Sequence, residues 1–333
     1  MPEKLRWGLL STARINRAVI PPIRASARGE LVAVASREAA KAEAYAKEWD
    51  IPKAFGSYED MLASDDVDVV YISLPNGLHA EWAIKCVEAG KHVLLEKPFT
   101  ITIEEADWVI AAARRTGKVV AEAFMYRHHP QTLKVKELVE GGAIGSVQLV
   151  RGSFTFTIVG GRDPRLDPTM GGGSLWDVGC YPISLAQYIF GSRPQEVFGW
   201  QVTNSSGTDG TFVGQMQYEG PRLAQFDCGF RSPFRTHAEI VGKGGTITLT
   251  MPFKPDENAG ISLMRVDPQT GDATTEAVTV EPQSLYTGEV EDMHDAILKG
   301  KPPRVSLAES RDHIATIWAL YESAQHGRPV AVP

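Results

Sequence analysis

The sequence predicts an α/β protein in two parts: a doubly wound parallel sheet over residues 1–125, then an α/β domain with an open, mostly antiparallel sheet over residues 126–333. Three observations carry that expectation. Up to about residue 125, short β-branched runs alternate with longer helix-patterned stretches, which is the rhythm of βαβ units. Beyond a helical segment at 131–140, the pattern changes to consecutive runs rich in Val, Phe and Thr, with hairpin signals between them. A chain of 333 residues, 43% of them hydrophobic, also exceeds what one core usually organises.

In the first part, residues 5–10 read as the opening strand, and 31–35, 67–74, 91–95 and 119–123 as later strands. Helical patterns fill 38–49, 79–89 and 103–116, and Pro21 with Pro22 predicts a bend or restart in the first helix. In the second part, strands are expected over 147–158, 197–202, 211–218, 222–230 and 236–250. Glu219-Gly220-Pro221 and Lys243-Gly244-Gly245 supply turns, and one helix over 173–190 is inserted. Residues 290–299 and 307–325 read as helices, the second suited to packing back on the first domain. No internal repeat or low-complexity segment interrupts this order.

Composition excludes several classes. With 34 basic and 41 acidic residues the net charge is −7, and the acidic residues are spread along the chain, which does not make a phosphate-tracking surface for nucleic acid. The apolar run after Trp7 is too short for a signal sequence or membrane span, so a soluble cytoplasmic protein is expected. Cys86, Cys180 and Cys228 are odd in number and far apart, which suits buried thiols rather than disulfides or a zinc site. His128-His129 is the one adjacent histidine pair, and no H-E-x-x-H run accompanies it, so no metal is expected. A G-x-S-x-G elbow is absent as well.

A dinucleotide site needs a strand ending in a tight turn, so that helix amides face the pyrophosphate. Gly8-Leu9-Leu10-Ser11-Thr12-Ala13-Arg14-Ile15 is placed for that turn, although Ser11 and Ala13 stand where glycine is usual and a plain strand-to-helix turn fits equally. The second strand ends in Ala35-Ser36-Arg37. An acid there would pair ribose hydroxyls, whereas Ser36 and Arg37 suit a 2′-phosphate and so favour NADP over NAD; a solvated helix-start Arg is the alternative. After the fourth strand, Leu74-Pro75-Asn76-Gly77-Leu78-His79 forms a second turn at the same sheet edge, where Asn76 either meets cofactor or caps a helix.

Leu94-Leu95-Glu96-Lys97-Pro98 puts a lysine straight after an apolar strand, where it can hydrogen-bond a reacting hydroxyl. Gly171-Gly172-Gly173-Ser174-Leu175-Trp176-Asp177-Val178-Gly179-Cys180-Tyr181 opens the inserted helix and places Asp177 and Tyr181 four apart, on one face. Taken singly, each of these three side chains is more often structural. Arg127, His128, Arg162, Asp163, Arg165, Asp167 and Trp176 are candidates for a polar pocket that hydrogen-bonds several hydroxyls.

Together the Glu96-Lys97-Pro98 motif and the glycine-rich run ending at Tyr181 resemble the family of glucose-fructose oxidoreductase, inositol dehydrogenase and the rhizopine-catabolism protein, called Gfo/Idh/MocA, over essentially the whole chain. The resemblance implies a Rossmann domain, a second domain whose open sheet forms an oligomer interface, here a homodimer or homotetramer, and oxidation of sugars or related polyols. Tyr181 where many members carry His, together with Ser36-Arg37, residues 162–168 and the Glu122-Ala123-Phe124-Met125-Tyr126-Arg127 segment, is similar to the xylose, dihydrodiol and glucose-fructose branch. An aldose 1-dehydrogenase is the favoured reading. Dehydrogenases of other polyols, anhydrosugars or trans-dihydrodiols, a nicotinamide-dependent glycosidase and a non-catalytic redox sensor are the rivals.

For the cofactor, NADP with NAD as the alternative, the resemblance implies contacts at Gly8, Ser11, Thr12, Ala13, Arg14 and Ile15, at Ser36, Arg37 and Lys41, at Leu74, Pro75, Asn76 and His79, and at Glu96, Lys97 and Arg127. It implies proton transfer by Lys97 and Tyr181, orientation of the sugar by Asp177, and substrate contacts at Lys97, Arg127, Arg162, Arg165, Trp176, Asp177 and Tyr181. A phenol is a poor base at neutral pH unless a cation favours its anion, and Lys97 would supply that cation, with the two side chains converging.

Overall fold

The computed structural model describes residues 4–159, 163–256 and 259–333. The chain divides into two compact units, Met1–His128 with Tyr286–Arg311, and His129–Leu285 with Asp312–Pro333. Residues 286–311, expected in the second domain, thus belong to the first unit.

Six parallel strands form the sheet of the first unit: β1 (Leu5–Leu10), β2 (Gly29–Ala35), β3 (Lys53–Phe55), β4 (Val69–Ile72), β5 (His92–Glu96) and β6 (Val120–Ala123). Their spatial order is β3-β2-β1-β4-β5-β6, the doubly wound order of a Rossmann domain, which reverses direction between β1 and β4. Helices on both faces cover the central strands, and Trp7, Leu9, Tyr71 and Leu95 have no exposed surface. The crossovers are α1 (Asn16–Ala25), α2 (Ala39–Glu48), α3 (Tyr58–Ala63), α4 (His79–Glu88) and α5 (Ile103–Thr116).

Local chemistry accounts for these bounds. At the start of α5, Thr102 accepts a hydrogen bond from the Glu105 amide at 3.1 Å, and Glu105 accepts one from the Ile101 amide at 3.1 Å. Gly117, with φ of 67°, ends it in the left-handed region. The expected restart of α1 does not occur. The helix runs through Pro21 and Pro22, which only withhold two donors, and Pro22 still accepts from Ser26 at 3.1 Å.

The second unit holds α6 (Pro130–Glu140), β7 (Val147–Thr155), a π-helical turn at Leu175–Gly179, α7 (Cys180–Phe190), β8 (Glu196–Thr203), β9 (Asp209–Gln217), β10 (Leu223–Gly229), β11 (Arg235–Gly242), β12 (Gly245–Thr250), β13 (Gly260–Val266) and β14 (Ala273–Val278). In the first unit α8 (Thr287–Lys299) packs on α1. Its His294 accepts from Trp7 Nε1 at 3.0 Å and meets Ser26 Oγ at 3.2 Å. The chain closes with α9 (Leu307–His326) and β15 (Val330–Ala331).

The nine strands of the second sheet run β14-β13-β12-β11-β7-β10-β9-β8-β15, all antiparallel except the β7–β10 pair. One face is packed. Phe212, Met216, Phe226 and Phe154 lie on it, and Gly152 leaves room for α7, since a Cβ there would sit 2.5 Å from Pro182 Cβ. The opposite face is open and carries Trp200, Val202, Val213 and Leu223, all more than 45% exposed. Arg151–Glu239 and Arg235–Asp227 ion pairs flank them.

Candidate active site

The first unit builds its ligand edge where β1 and β4 end. Ser11, straight after β1, has a φ of 138°, a conformation usual for glycine. Hydrogen bonds hold it there: its Oγ lies 2.8 Å from Ser73 Oγ and accepts from the Ala13 amide at 3.1 Å, while its carbonyl accepts from Asn16 Nδ2 at 2.8 Å. Ser73 Oγ in turn donates to Asn16 Oδ1 at 2.7 Å. The turn into α1 is therefore locked to the end of β4. Among the described residues the amides of Thr12, Arg14 and Ile15 meet no acceptor, and they stand at a helix N-terminus, as an anion site requires.

A cleft of about 350 Å³ opens beside this turn, lined by Thr12, Arg14, Arg17, Lys41, Ala44, Tyr45 and Glu48. Ser36 is buried, bonded through its amide to Phe55 O at 3.1 Å, and its Oγ accepts from the Glu38 amide at 3.3 Å. Arg37 is exposed and stands near the Tyr58 hydroxyl, whose pKa is raised by burial and partly restored by Arg37. Lys41 pairs with Glu38 at 2.6 Å, both largely in solvent. Free helix amides beside a cleft rich in Arg and Lys fit the phosphates of a nicotinamide dinucleotide.

The lysine loop is held from behind. His79 has no exposed surface; its Nδ1 lies 2.8 Å from Pro98 O and its Nε2 2.9 Å from Leu74 O, so it ties the 74–78 turn to the Lys97-Pro98 turn. Burial depresses its pKa, so the ring is neutral and satisfies one carbonyl as donor. Phe99 N donates to Glu122 Oε1 at 2.8 Å, so residues 97–99 hang between two buried side chains. Glu96 accepts from the fully buried Tyr71 hydroxyl. Glu289, 1% exposed, has no partner for either carboxyl oxygen; burial and then Glu96 hold it well above the usual carboxylate range.

In the second unit the π turn and α7 carry the other two candidates. Tyr181 is 3% exposed, with Phe154 at 5.3 Å and Phe253 at 5.6 Å between ring centroids. Asp177 lies 3.7 Å from Arg165. Arg165 is itself gripped by Asp163 at 2.9 and 2.6 Å and lies over the Phe156 ring. The Asp163 contact raises its pKa, against burial, which lowers it, and Asp177 adds to the rise.

The other sequence-derived candidates have these surroundings in the structure. Gly8 makes room for Met61 and Val67, which a Cβ would meet at 3.0 and 3.1 Å, and Ile15 packs on the first unit's core. His79 is spent on backbone carbonyls. Arg127, 2% exposed, is paired with Glu309 at 2.5 Å, and His128 bridges Phe124 O and Asp292. Trp176 is buried beside Tyr321, with ring centroids 5.8 Å apart, and Asp167 caps the Pro168–Met170 turn through the Thr169 amide. Asn76 does not cap α4, whose cap position is Leu78. Arg162 lies outside the described residues. Sequence reasoning missed Asn16, Ser73 and Glu122, whose partners are distant in sequence. Among the described residues no group of three or more His, Cys, Asp or Glu is placed to hold a metal, and no helix is long and apolar enough to cross a membrane.

A doubly wound domain with an anion-ready first turn, joined to an antiparallel sheet bearing a carboxyl and a phenol on one helix, defines an oxidoreductase of the nicotinamide-binding class. Residues 5–124 match the oxidoreductase family with an NAD-binding Rossmann fold, and residues 132–248 its C-terminal domain, so the chain belongs to the Gfo/Idh/MocA family. It is 38% identical over 329 residues to a D-xylose 1-dehydrogenase (NADP(+)) of Haloferax volcanii, covering 98% of this chain and 99% of that one. Among solved structures it is similar to an aldose-aldose oxidoreductase from Caulobacter crescentus (TM-score 0.89, 25% identity, 98% and 99% covered). It is also similar to a 3-ketoreductase from Actinomadura kijaniata in complex with NADP and TDP-benzene (TM-score 0.87, 27% identity, 96% and 98% covered).

The loop clamp is expected to make stability pH-dependent. Burial pushes Glu122 up to about 8, so the native state retains a proton that the unfolded chain releases near its ordinary value. The resulting stabilisation is complete below about pH 4.5 and is lost as pH rises to about 8, at up to about 1.4 kcal/mol per pH unit. Glu122→Gln keeps the acceptor for Phe99 N and removes the titration. Its melting temperature relative to the parent should climb from pH 5 to pH 8 and then level; a pH-independent difference would sink the assignment.

Proposed function

We propose that this protein is a cytoplasmic NADP-dependent aldose 1-dehydrogenase of the D-xylose type. The observation that carries this reading is its end-to-end similarity to the Haloferax volcanii enzyme, with Lys97, Asp177 and Tyr181 all present. The cofactor part rests on residues of the first unit. Ser36 and Arg37 follow β2 where an NAD enzyme has an acid, and Lys41, Arg14 and Thr12 line the neighbouring cleft, a set suited to a 2′-phosphate.

A nicotinamide held by these residues would supply the acceptor for the hydride of the alcohol carbon. Lys97 and Tyr181 are assigned proton transfer at the substrate hydroxyl, and Asp177, aimed by Arg165, orients a neighbouring hydroxyl. Arg165 also supplies a fixed polar edge against which an alcohol lacking that hydroxyl is rejected. The open face of the second sheet, with Trp200, Val202, Val213 and Leu223 beside complementary charges, is proposed to be covered by a second copy of the chain, giving a homodimer or homotetramer.

Four measurements decide these points. An initial-rate panel of aldoses, inositols, anhydrosugars and trans-dihydrodiols with NADP and NAD should show the highest kcat/KM for an aldose with NADP. A higher value for another substrate class would replace the reading. Arg37→Asp should raise KM for NADP far more than for NAD, and equal effects would refute the role of Arg37. Lys97→Met and Tyr181→Phe should each lower turnover roughly a hundredfold or more, while the double change costs scarcely more than the worse single one. Near-normal turnover in Tyr181→Phe would make the phenol structural. Light scattering at micromolar concentration should report a dimer or larger; a strict monomer would leave the open face without its proposed cover.

A further inference from the structure

Asp209, the first residue of β9, is 3% exposed and lies behind the helix that carries Asp177 and Tyr181, all within the second unit. Its Oδ2 accepts from Ser174 Oγ at 2.6 Å and from the Leu175 amide at 2.9 Å, and its Oδ1 accepts from the Tyr321 hydroxyl at 2.6 Å. Two of the three donors thus belong to the residues that begin the π turn. Nothing in the chemistry assigned to Lys97, Asp177 or Tyr181 uses this buried acid.

The chain has been shaped to reach it. Gly173, with φ of 134°, passes so close that a Cβ would fall 2.3 Å from Asp209 Oδ1 and 2.7 Å from the Tyr321 hydroxyl. The amide of Gly173 is held by Arg165 O at 2.9 Å, and that of Gly172 by Asp167 O at 2.9 Å. At the far end of the turn, a Cβ on Gly179 would lie 2.8 Å from Cys228 Sγ and 2.8 Å from Leu175 Cδ1. The start of Leu175–Gly179 is therefore fixed by hydrogen bonds and its end by close packing on β10.

A π turn carries one residue more than an α turn and persists only where its surroundings over-determine it. Were the turn to relax to α-helix, the residues before it would rotate by about 100° against those after it. Asp177 lies inside the turn and Tyr181 beyond it, so their relative orientation depends on which form is held. An acceptor bound to a side-chain donor and an amide at a helix start also complements the positive end of the helix.

We propose that Asp209 is a positioning residue: by accepting from Ser174 and Leu175 it holds the π turn and so sets Asp177 against Tyr181. The inference rests on the roles proposed above for Asp177 and Tyr181, and it names a residue 35 positions from Ser174 in sequence.

The test is Asp209→Asn in the full-length chain, measured in two ways. A crystal structure of the variant should show residues 175–179 out of the π form, with Asp177 displaced relative to Tyr181. With the best substrate of the panel, kcat should fall roughly tenfold or more, the scale of a small misplacement near the chemistry, while the dissociation constant for NADP changes by no more than about twofold. Tyr321→Phe removes one donor and leaves both bonds to the helix start, so it should lower the melting temperature without lowering kcat. If Asp209→Asn retains the π turn and wild-type kcat, or if Tyr321→Phe loses as much kcat as Asp209→Asn, the proposal is wrong. Should Asp209→Asn fail to fold, Ser174→Ala takes its place in both measurements, and a retained π turn with wild-type kcat overturns the proposal in the same way. Should the parent protein oxidise no aldose, the substrate assignment falls, and the crystallographic arm still decides the position of the turn.

Discussion

Parallel strands end where their ligand edge begins, and the chemistry of the first unit depends on how those ends are tied together. The tie is a buried cluster of small polar side chains, Ser11, Asn16 and Ser73, that exchange hydrogen bonds across the point where the strand order reverses. Because Asn16 belongs to α1 and Ser73 follows β4, the cluster fixes strand end, turn and helix start with respect to one another. A serine in a backbone conformation that glycine usually supplies is tolerable here because both its hydroxyl and its carbonyl are bonded. Free amides remain on the outer side of the turn, where an anion meets them already oriented, with no ordering left for the ligand to impose.

The second unit solves the same problem with different materials. Its helix start is aimed by a buried acid rather than by hydroxyls, and the ring of Tyr181 is held by Phe154 and Phe253, which leave it little freedom to rotate. Tilted ring contacts of this kind restrict it without consuming its hydroxyl. Charged side chains nearby are handled in sequence: Asp163 grips Arg165 in two places, and Arg165 then faces Asp177 at a longer distance. The looser of the two pairings is thus the one at Asp177.

Much of this was legible in the chain. The helix α5 declares itself through Thr102, Glu105 and Gly117, and β1 through an apolar run ended by small residues, because each signal is local. The motif around Lys97 and the glycine-rich run before Tyr181 are local too, and they led to the family. The short edge strand β3 escaped because its three residues bury little, and β14 because all but its last residue is exposed, so neither bears the alternation that marks a half-buried strand. Pro21 and Pro22 did not restart the helix. Within α1, the missing donors cost two bonds while the surrounding core, with Val19, Ile20 and Ile23 buried, still favours a continuous helix. His79, Arg127 and Trp176 sit in functional motifs and are buried there, with His79 bonded to Pro98 O and Leu74 O and Arg127 paired with Glu309.

The buried acids expose the limit of motif reading most clearly. Glu122, Glu289 and Asp209 stand on three different elements, none recognised from a pattern as a partner of the site, and each is almost wholly removed from solvent. What separates them is the supply of donors. Glu289 has none and Glu122 has Phe99 N on one oxygen only, and burial raises both, Glu122 to about 8. Asp209 has three, two of them at the beginning of a helix. An acid of the first kind holds few groups in place, whereas one surrounded by donors imposes an arrangement on the groups around it. The number of donors reaching a buried carboxyl, which only the folded chain reveals, therefore separates an acid that fills space from one that directs a helix.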